Sequence, residues 1–533
     1  MKKYLILMFV GIASGLLGQL KTGLDFAVVS TTQGKVRGFQ SNGVYTYMGI
    51  PYGKAARFEA AQKPEPWTGV RSSMTWGPVS PLLTPTTSVS DEVEWVFDHD
   101  FGYTNEDCLV LNVWSNGIND GKKRPVMFWI HGGGFTAGSS QELPSYHGEN
   151  LAKLGDVVVV SINHRLNVLG FLDLSAYGDK YKYSANNSVL DMRLALEWVR
   201  DNIANFGGDP NNVTIFGQSG GGAKVNTLMA MPSAKGLFHK AINQSGAFRG
   251  NILGKSVTQQ ISAEVLNELG IATSNVDEIQ KVPYEKLSAA SSVALRKVAE
   301  KMRNEGKSMP GFGLSWGPSL DGDLLPYDML SEEALQLSKN IPLIIGTTIT
   351  EFMPSIGLNM LKATKEEVRA YVEKTYPGKT DKYLEYAAKA WPDHVRPSDL
   401  MDIDLRFRPG AVYQANVKSA VSGGAPVYMY IFDWQSPVLD GKYKSVHCME
   451  IAFAFNTIQR TRNMTGGTPE AQKLADKVSM AWINFARTGN PNHKGLVNWP
   501  AYNEKNTSTM HFNNVCKVMP QLDKELIALV TNP

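Results

Sequence analysis

Cysteine is scarce: 533 residues hold three, Cys108, Cys448 and Cys516. Three thiols allow at most one intramolecular bridge, so a disulfide scaffold is excluded and stability has to come from a packed core. The Cys and His residues form no zinc-type cluster, and there is neither a GKS/GKT phosphate loop nor a GxGxxG dinucleotide turn. No metal and no cofactor is therefore expected. Charge of one sign is missing too. Lys and Arg number 53 against 50 Asp and Glu, and a net charge of +3 argues against a nucleic-acid partner.

Long apolar runs are also lacking, except at the start. MKKYLILMFVGIASGLLGQ has Lys2 and Lys3 ahead of an apolar stretch, Tyr4 to Ile12, and then the small residues Ala13, Ser14 and Gly15. This is the layout of an export signal, expected over about residues 1–18. The run is short for a membrane span and no other segment approaches one, so none is expected after signal removal. No cysteine follows it to take a lipid. The mature chain, 19–533, is expected to be exported as a single domain.

What is present is an alternation of buried-strand and helix patterns. VMFWI (126–130), VVVVSIN (157–163), VTIF (213–216), PLIIG (342–346) and VYMYIFD (427–433) read as buried strands. VLDMRLALEWVRDNIANF (189–206) puts Leu190, Leu194, Leu196, Trp198, Val199 and Ile203 on one side of a helix. The fold class is α/β, a large, mostly parallel sheet with helices on both faces. Residues 250–310 and 363–405 read as helical excursions on that sheet. DEVEWVFDHD (91–100) reads as a solvated loop with one packed aromatic, Trp95 or Phe97 being the residues that could touch a ligand.

Gly217-Gln218-Ser219-Gly220-Gly221 lies between the strand VTIF and the helical AKVNTLMAM. A G-x-S-x-G there is the layout of a nucleophile elbow, whose glycines let strand and helix approach. A serine hydroxyl needs a base and an oxyanion site. Three glycines after the strand VMFWI, in WIHGGGF (129–135), can supply free N–H groups from Gly133 and Gly134 beside that of Gly220. In elbow enzymes the chain order is serine, acid, histidine. His239 leaves little room for an intervening acid, and His394, His493 and His511 sit in polar stretches that read as surface. His447, beyond the strand VYMYIFDW, is the best placed. Glu351 follows PLIIGTTIT at a strand end, though a lone glutamate there is commonly solvated, and position alone leaves the acid open.

Together these residues resemble the type-B carboxylesterases, the cholinesterase-like branch of the α/β-hydrolase fold. The likeness runs from about residue 28 to the end. It is carried by MGIPYGKAARFEAAQKPEPW (48–67), NEDCLVLNVW (105–114), HGGGF (131–135), NHRLNVLGFL (163–172) and FGGDPNNVTIFGQSGGG (206–222). NQSGA (243–247), GTTITEF (346–352), HCMEIAFAF (447–455) and FARTGNPN (485–492) continue it. The resemblance implies hydrolysis of small-molecule carboxylic esters through an acyl-serine, without a cofactor. It implies Ser219 as nucleophile, His447 as base, Glu351 as acid, and Gly133, Gly134 and Gly220 as oxyanion donors. Some relatives on this fold are catalytically silent binding or adhesion proteins, the alternative reading, but they typically lack a triad member.

The departures are informative. Most relatives carry glutamate before the serine and alanine after it; here these are Gln218 and Gly220. Losing that carboxylate weakens the case for a cationic substrate. Ser80 stands where many relatives have the cysteine that would bridge to Cys108. Asn186-Asn187-Ser188 replaces the usual GN-x-G. Gln218 and Ser245 are possible pocket residues, Ser245 being more often a structural hydroxyl, and Cys448 reads as a packed thiol.

Overall fold

Strands that are apolar on every residue can only be satisfied between two covering layers. The computed structural model describes residues 19–82, 91–247, 252–307 and 313–531; the expected signal segment lies outside them. Its central sheet has eleven strands, numbered here in chain order: β1 Phe39–Ser41, β2 Val44–Pro51, β3 Val110–Ser115, β4 Arg124–Ile130, β5 Val158–Ile162, β6 Gly208–Gln218, β7 Lys240–Gln244, β8 Leu343–Thr348, β9 Val427–Phe432, β10 Thr509–Phe512 and β11 Lys517–Met519. Their spatial order is β11-β10-β9-β8-β7-β6-β4-β5-β3-β2-β1. From β10 across to β5 every neighbouring pair is parallel. Antiparallel strands extend the sheet on both sides. The five strands expected from the sequence are β4, β5, β6, β8 and β9.

The helices used below are α1 Asp91–Phe97, α2 Asn187–Asn202, α3 Gly220–Met229, α4 Arg408–Ser419, α5 Met449–Ala454 and α6 Pro469–Thr488. Side-chain alternation along the strands divides the core in two. Val126, Phe128 and Ile130 of β4 join one apolar cluster with Leu194, Trp198 and Val199 of α2 and with Ala411 and Val412 of α4. Met127 and Trp129 join the other, with Leu474, Val478 and Trp482 of α6. There Trp129 meets Phe216 and Phe455 edge-on, at 4.9 and 5.0 Å between ring centroids.

The helices Lys255–Leu269 and Tyr284–Asn304 pack into the first cluster. The helices of 363–405 gather a smaller cluster around Tyr383 and Trp391, tied to the sheet by Ile431. Two histidines that read as surface are buried. His511 lies inside β10, opposite Ile431 and against Trp391, and His394 is equally enclosed, each 6% exposed. A four-residue strand followed by Asn513 and Asn514 is too short for its pattern to stand out from the polar turn. Among the described residues no helix is long and apolar enough to cross a membrane.

Register sets the ends of the parallel strands. Ile130 pairs with Gly217, Gln218 with Gln244, Gln244 with Gly346, and Gly346 with Tyr430. The carboxyl ends of β4, β6, β7, β8 and β9 therefore finish in one row, where open α/β sheets build their sites. Gly132, Ser219, Ser245, Glu351 and, after a longer loop, His447 follow those ends.

Candidate active site

Ser219 ends β6 and caps α3 with φ +56° and ψ −124°, a conformation that costs a residue with a side chain of order 1–3 kcal/mol. Its N–H donates to the Gln244 carbonyl at 2.8 Å, and its own carbonyl accepts from Ala223 at 3.0 Å to start the helix. A Cβ on Gly221 would stand 2.1 Å from the Ile130 carbonyl oxygen, and one on Gly217 2.5 Å from the Gly221 carbonyl carbon. Strand and helix meet with no space for side chains between them.

Glu351 and His447 meet directly. His447 Nδ1 is hydrogen-bonded to Glu351 Oε2, and the His447 N–H donates to the Glu351 carbonyl at 2.9 Å. Glu351 Oε1 accepts from the Ser245 hydroxyl at 2.5 Å and from the Thr348 N–H at 2.8 Å. Ser245 thus stands buried behind Glu351, off the cavity wall. Gln218 is on the wall. Its Nε2 is 3.3 Å from both ring nitrogens of His447, an equidistance that sets the amide over the ring face. Its Oε1 accepts from the Cys448 thiol at 3.3 Å. Burial and the Glu450 charge push that thiol well above its ordinary pKa, which keeps it protonated and a poor nucleophile. Phe352 and Phe407 pack on one side of the imidazole, at 4.8 and 5.2 Å, and 5.7 Å from each other. With Nδ1 committed to Glu351, Nε2 is the nitrogen left for a partner.

Two further buried carboxylates face this pair. Burial first, and then the Glu351 charge, raise the pKa of Asp404 and of Glu450. Asp404 accepts from the backbone N–H groups of Arg406, Phe407 and Arg408 at 2.8–3.3 Å as α4 begins. Glu450 Oε1 accepts from Gln244 at 3.2 Å, whose own oxygen accepts from Trp482. For His447 burial disfavours the charged ring, but the carboxylates, Glu351 above all, outweigh it and raise its pKa. The loop bearing His447 is pinned by Lys444, 1% exposed and paired with Asp399 and Asp402 at 2.7 and 2.8 Å.

Ser219, Glu351 and His447 open on one cavity of about 790 Å³, shared with Gly132, Gly133 and Gly134. Gly133 and Gly134 have φ of +77° and +62°. Among the described residues, neither their N–H groups nor that of Gly220 donate to a backbone carbonyl. The remaining wall is mostly apolar and aromatic, including Trp316, Phe352, Phe407 and Val446, with His99 and Glu142 among its few charged or titratable members. The stretch that read as a solvated loop contributes α1 instead. Val93 and Phe97 face the cavity and Trp95 is 49% exposed. Glu92 anchors that helix, hydrogen-bonded to Lys442 and to the Tyr443 hydroxyl.

A sequence model described as Carboxylesterase family matches residues 25–528. The chain belongs to that family. It is 38% identical over 494 residues to the para-nitrobenzyl esterase of Bacillus subtilis (strain 168), covering 91% of this chain and 94% of that protein. Carboxylesterase 1F of Mus musculus is 32% identical over 545 residues, 95% of this chain and 93% of that protein. Among solved structures, an esterase from Clostridium hathewayi, described as able to hydrolyse aliphatic aromatic polyesters, superposes with a TM-score of 0.83 at 38% identity, over 96% of this chain and 99% of that one. This carboxylesterase has the α/β-hydrolase fold and is a carboxylic ester hydrolase.

Sequence inspection passed over Asp404, Glu450, Lys444 and the rings beside His447. Glu450 carried a signal, a carboxylate three residues after His447 in the otherwise apolar CMEIAFAF. The others carried none: Asp404 takes its donors from the turn that follows it and Lys444 pairs with aspartates from a distant stretch, and neither pattern stands out in the chain.

Three outcomes are expected. A Cβ on Gly220 would lie 2.3–2.4 Å from the backbone of Gly134, so Gly220→Ala must displace the glycine loop. Steady-state kinetics should show kcat lowered about 10- to 100-fold with KM little changed, and an unaltered kcat would refute the contact. In an esterase that uses His447 as its base, the acid limb of kcat/KM should lie above the ordinary histidine value of 6.5, because only the neutral ring accepts a proton and its pKa is raised. Glu351→Gln should move that limb down and cut kcat by up to about 10⁴-fold; an unmoved limb would mean that Glu351 does not set the titration.

Proposed function

We propose that Ser219, His447 and Glu351 form the catalytic triad of this esterase, with Gly133, Gly134 and Gly220 as oxyanion donors. The observation that carries the reading is the Glu351–His447 hydrogen bond opening on the same cavity as the strained Ser219 elbow. Ser219 Oγ attacks the ester carbonyl carbon as its proton passes to His447 Nε2. The oxyanion is held by the three glycine N–H groups. The C–O bond to the alcohol then breaks, and the alcohol leaves with the proton from His447. Water, activated by the same ring, repeats the sequence on the acyl-serine and frees the acid.

The substrate class we propose is a neutral ester with bulky apolar or aromatic groups. Gln218 puts no charge beside the ring where a cationic alcohol would seek one, and the cavity wall is aromatic. The names of the relatives, an esterase of para-nitrobenzyl esters and one of aromatic polyesters, point the same way. Hydrolysis of p-nitrophenyl acetate, butyrate and octanoate by wild type and Ser219→Ala tests the reading. The variant should lose about 10⁴- to 10⁶-fold in kcat; turnover within tenfold of wild type would overturn it. Butyrylthiocholine should be a poorer substrate than the neutral butyrate.

Export is proposed from the Lys2–Gly15 pattern. Expression of the full chain should yield mature protein outside the cytoplasm with its N-terminus near residue 19. An intact Met1 terminus on an intracellular product would contradict export.

A further inference from the structure

Lys224 is the single charged residue of α3 and is fully buried, one turn beyond Ser219. Enclosing an ammonium group costs several kcal/mol, and an apolar side chain would suit the helix better. Its Nζ donates to the His131 carbonyl at 3.0 Å and to the Gly132 carbonyl at 3.3 Å. The Gly132 carbonyl is shared with His131 Nδ1 at 3.0 Å. The Phe135 ring lies 5.9 Å from Nζ. The charged group facing the ammonium is Glu142, on the cavity wall; the nearby rings of His131 and His164 are held neutral by burial. Burial pulls the Lys224 pKa down to about 7 against the opposing Glu142, and both protonation states keep N–H donors for the two carbonyls.

These two carbonyls belong to the turn that leads into the glycine loop. In a trans peptide the C=O and the following N–H point in opposite directions. Fixing the Gly132 carbonyl on Lys224 therefore turns the Gly133 N–H away from the helix, to the side where the cavity lies. Gly133, at φ +77°, has no side chain to hold that peptide plane. A donor on the carbonyl oxygen also polarises the N–H of the same peptide and strengthens it as a donor.

We propose that Lys224 is a positioning residue for ester hydrolysis, which orients and polarises the Gly133 N–H by binding the carbonyls of His131 and Gly132. The proposal rests on the triad and oxyanion reading given above. It separates Lys224 from a mere packing residue, because a packing residue would act on folding and not selectively on the tetrahedral state.

The test uses the full chain with Lys224→Met, which keeps most of the stem and removes every donor, and Lys224→Gln, which keeps an uncharged amide NH₂ as donor on a shorter stem. Three readouts are taken: kcat and KM for p-nitrophenyl butyrate, the Ki of an alkylboronic acid that forms a tetrahedral adduct on serine, and the melting temperature. Lys224→Met should lower kcat about 100-fold, the scale of one oxyanion donor. KM should change little and the boronate Ki should rise in step with the loss of kcat, with Lys224→Gln between the two. Wild-type kcat and Ki in a folded Lys224→Met enzyme would overturn the proposal, as would a loss of kcat without a change in Ki. If Lys224→Met does not fold, Lys224→Gln decides by the same two readouts. Ser219→Ala keeps the two readings apart: an active Ser219→Ala enzyme removes the triad itself, whereas an inert one beside a wild-type-like Lys224→Met removes this inference alone.

Discussion

The parallel register of β4, β6, β7, β8 and β9 is the constraint on which the site depends. Paired backbone groups fix where each strand stops, and five stops in one row bring together residues from 132 to 447 without any local sequence relation among them. The elbow makes this visible. Ser219 is held in its strained conformation by a hydrogen bond to the end of the next strand, at Gln244, and Ser245 at that same end reaches Glu351 beyond the third. One row of strand ends therefore supports both the strain and the acid.

Buried charge is the second organising feature. Glu351, Asp404 and Glu450 crowd one imidazole, and three ionised carboxylates could not share so small a dry volume. The protein meets this with backbone donors for Asp404, an amide for Glu450 and the ring itself for Glu351. The result biases the imidazole toward its protonated form, the state that the proposed mechanism asks of it. In the proposed reaction the uncharged N–H groups of Gly133, Gly134 and Gly220 meet the negative charge and the carboxylates the positive one.

Much of this was legible in the sequence, for physical reasons. Strands buried on both faces have to be apolar throughout, so VMFWI, VVVVSIN and PLIIG announced themselves. The elbow and the HGGGF turn were legible because close backbone approach excludes side chains. His447 and Glu351 could be ranked by position, but only the family resemblance joined them. What stayed hidden depends on how the chain packs. Asp404 is one acidic residue among several until the turn into α4 wraps round it, and His511 looks like surface until β10 is paired. The stretch 91–100 looked solvated because its charges are real. Its helix forms because Val93 and Phe97 find an apolar cavity.

The cavity is bounded by two kinds of wall. The loop bearing His447 is tied down by Lys444, locked between two aspartates away from water, and breaking such a cluster by removing one partner costs about 3–5 kcal/mol. To the same loop α1 is attached through Glu92, whose contacts with Lys442 and Tyr443 stand partly in solvent, where an ion pair contributes about 0–1 kcal/mol. The polar tie of α1 is therefore the weaker of the two. One loop thus carries a deep anchor at Lys444 and a solvent-facing one at Lys442, so loss of the outer contact leaves the inner one in place.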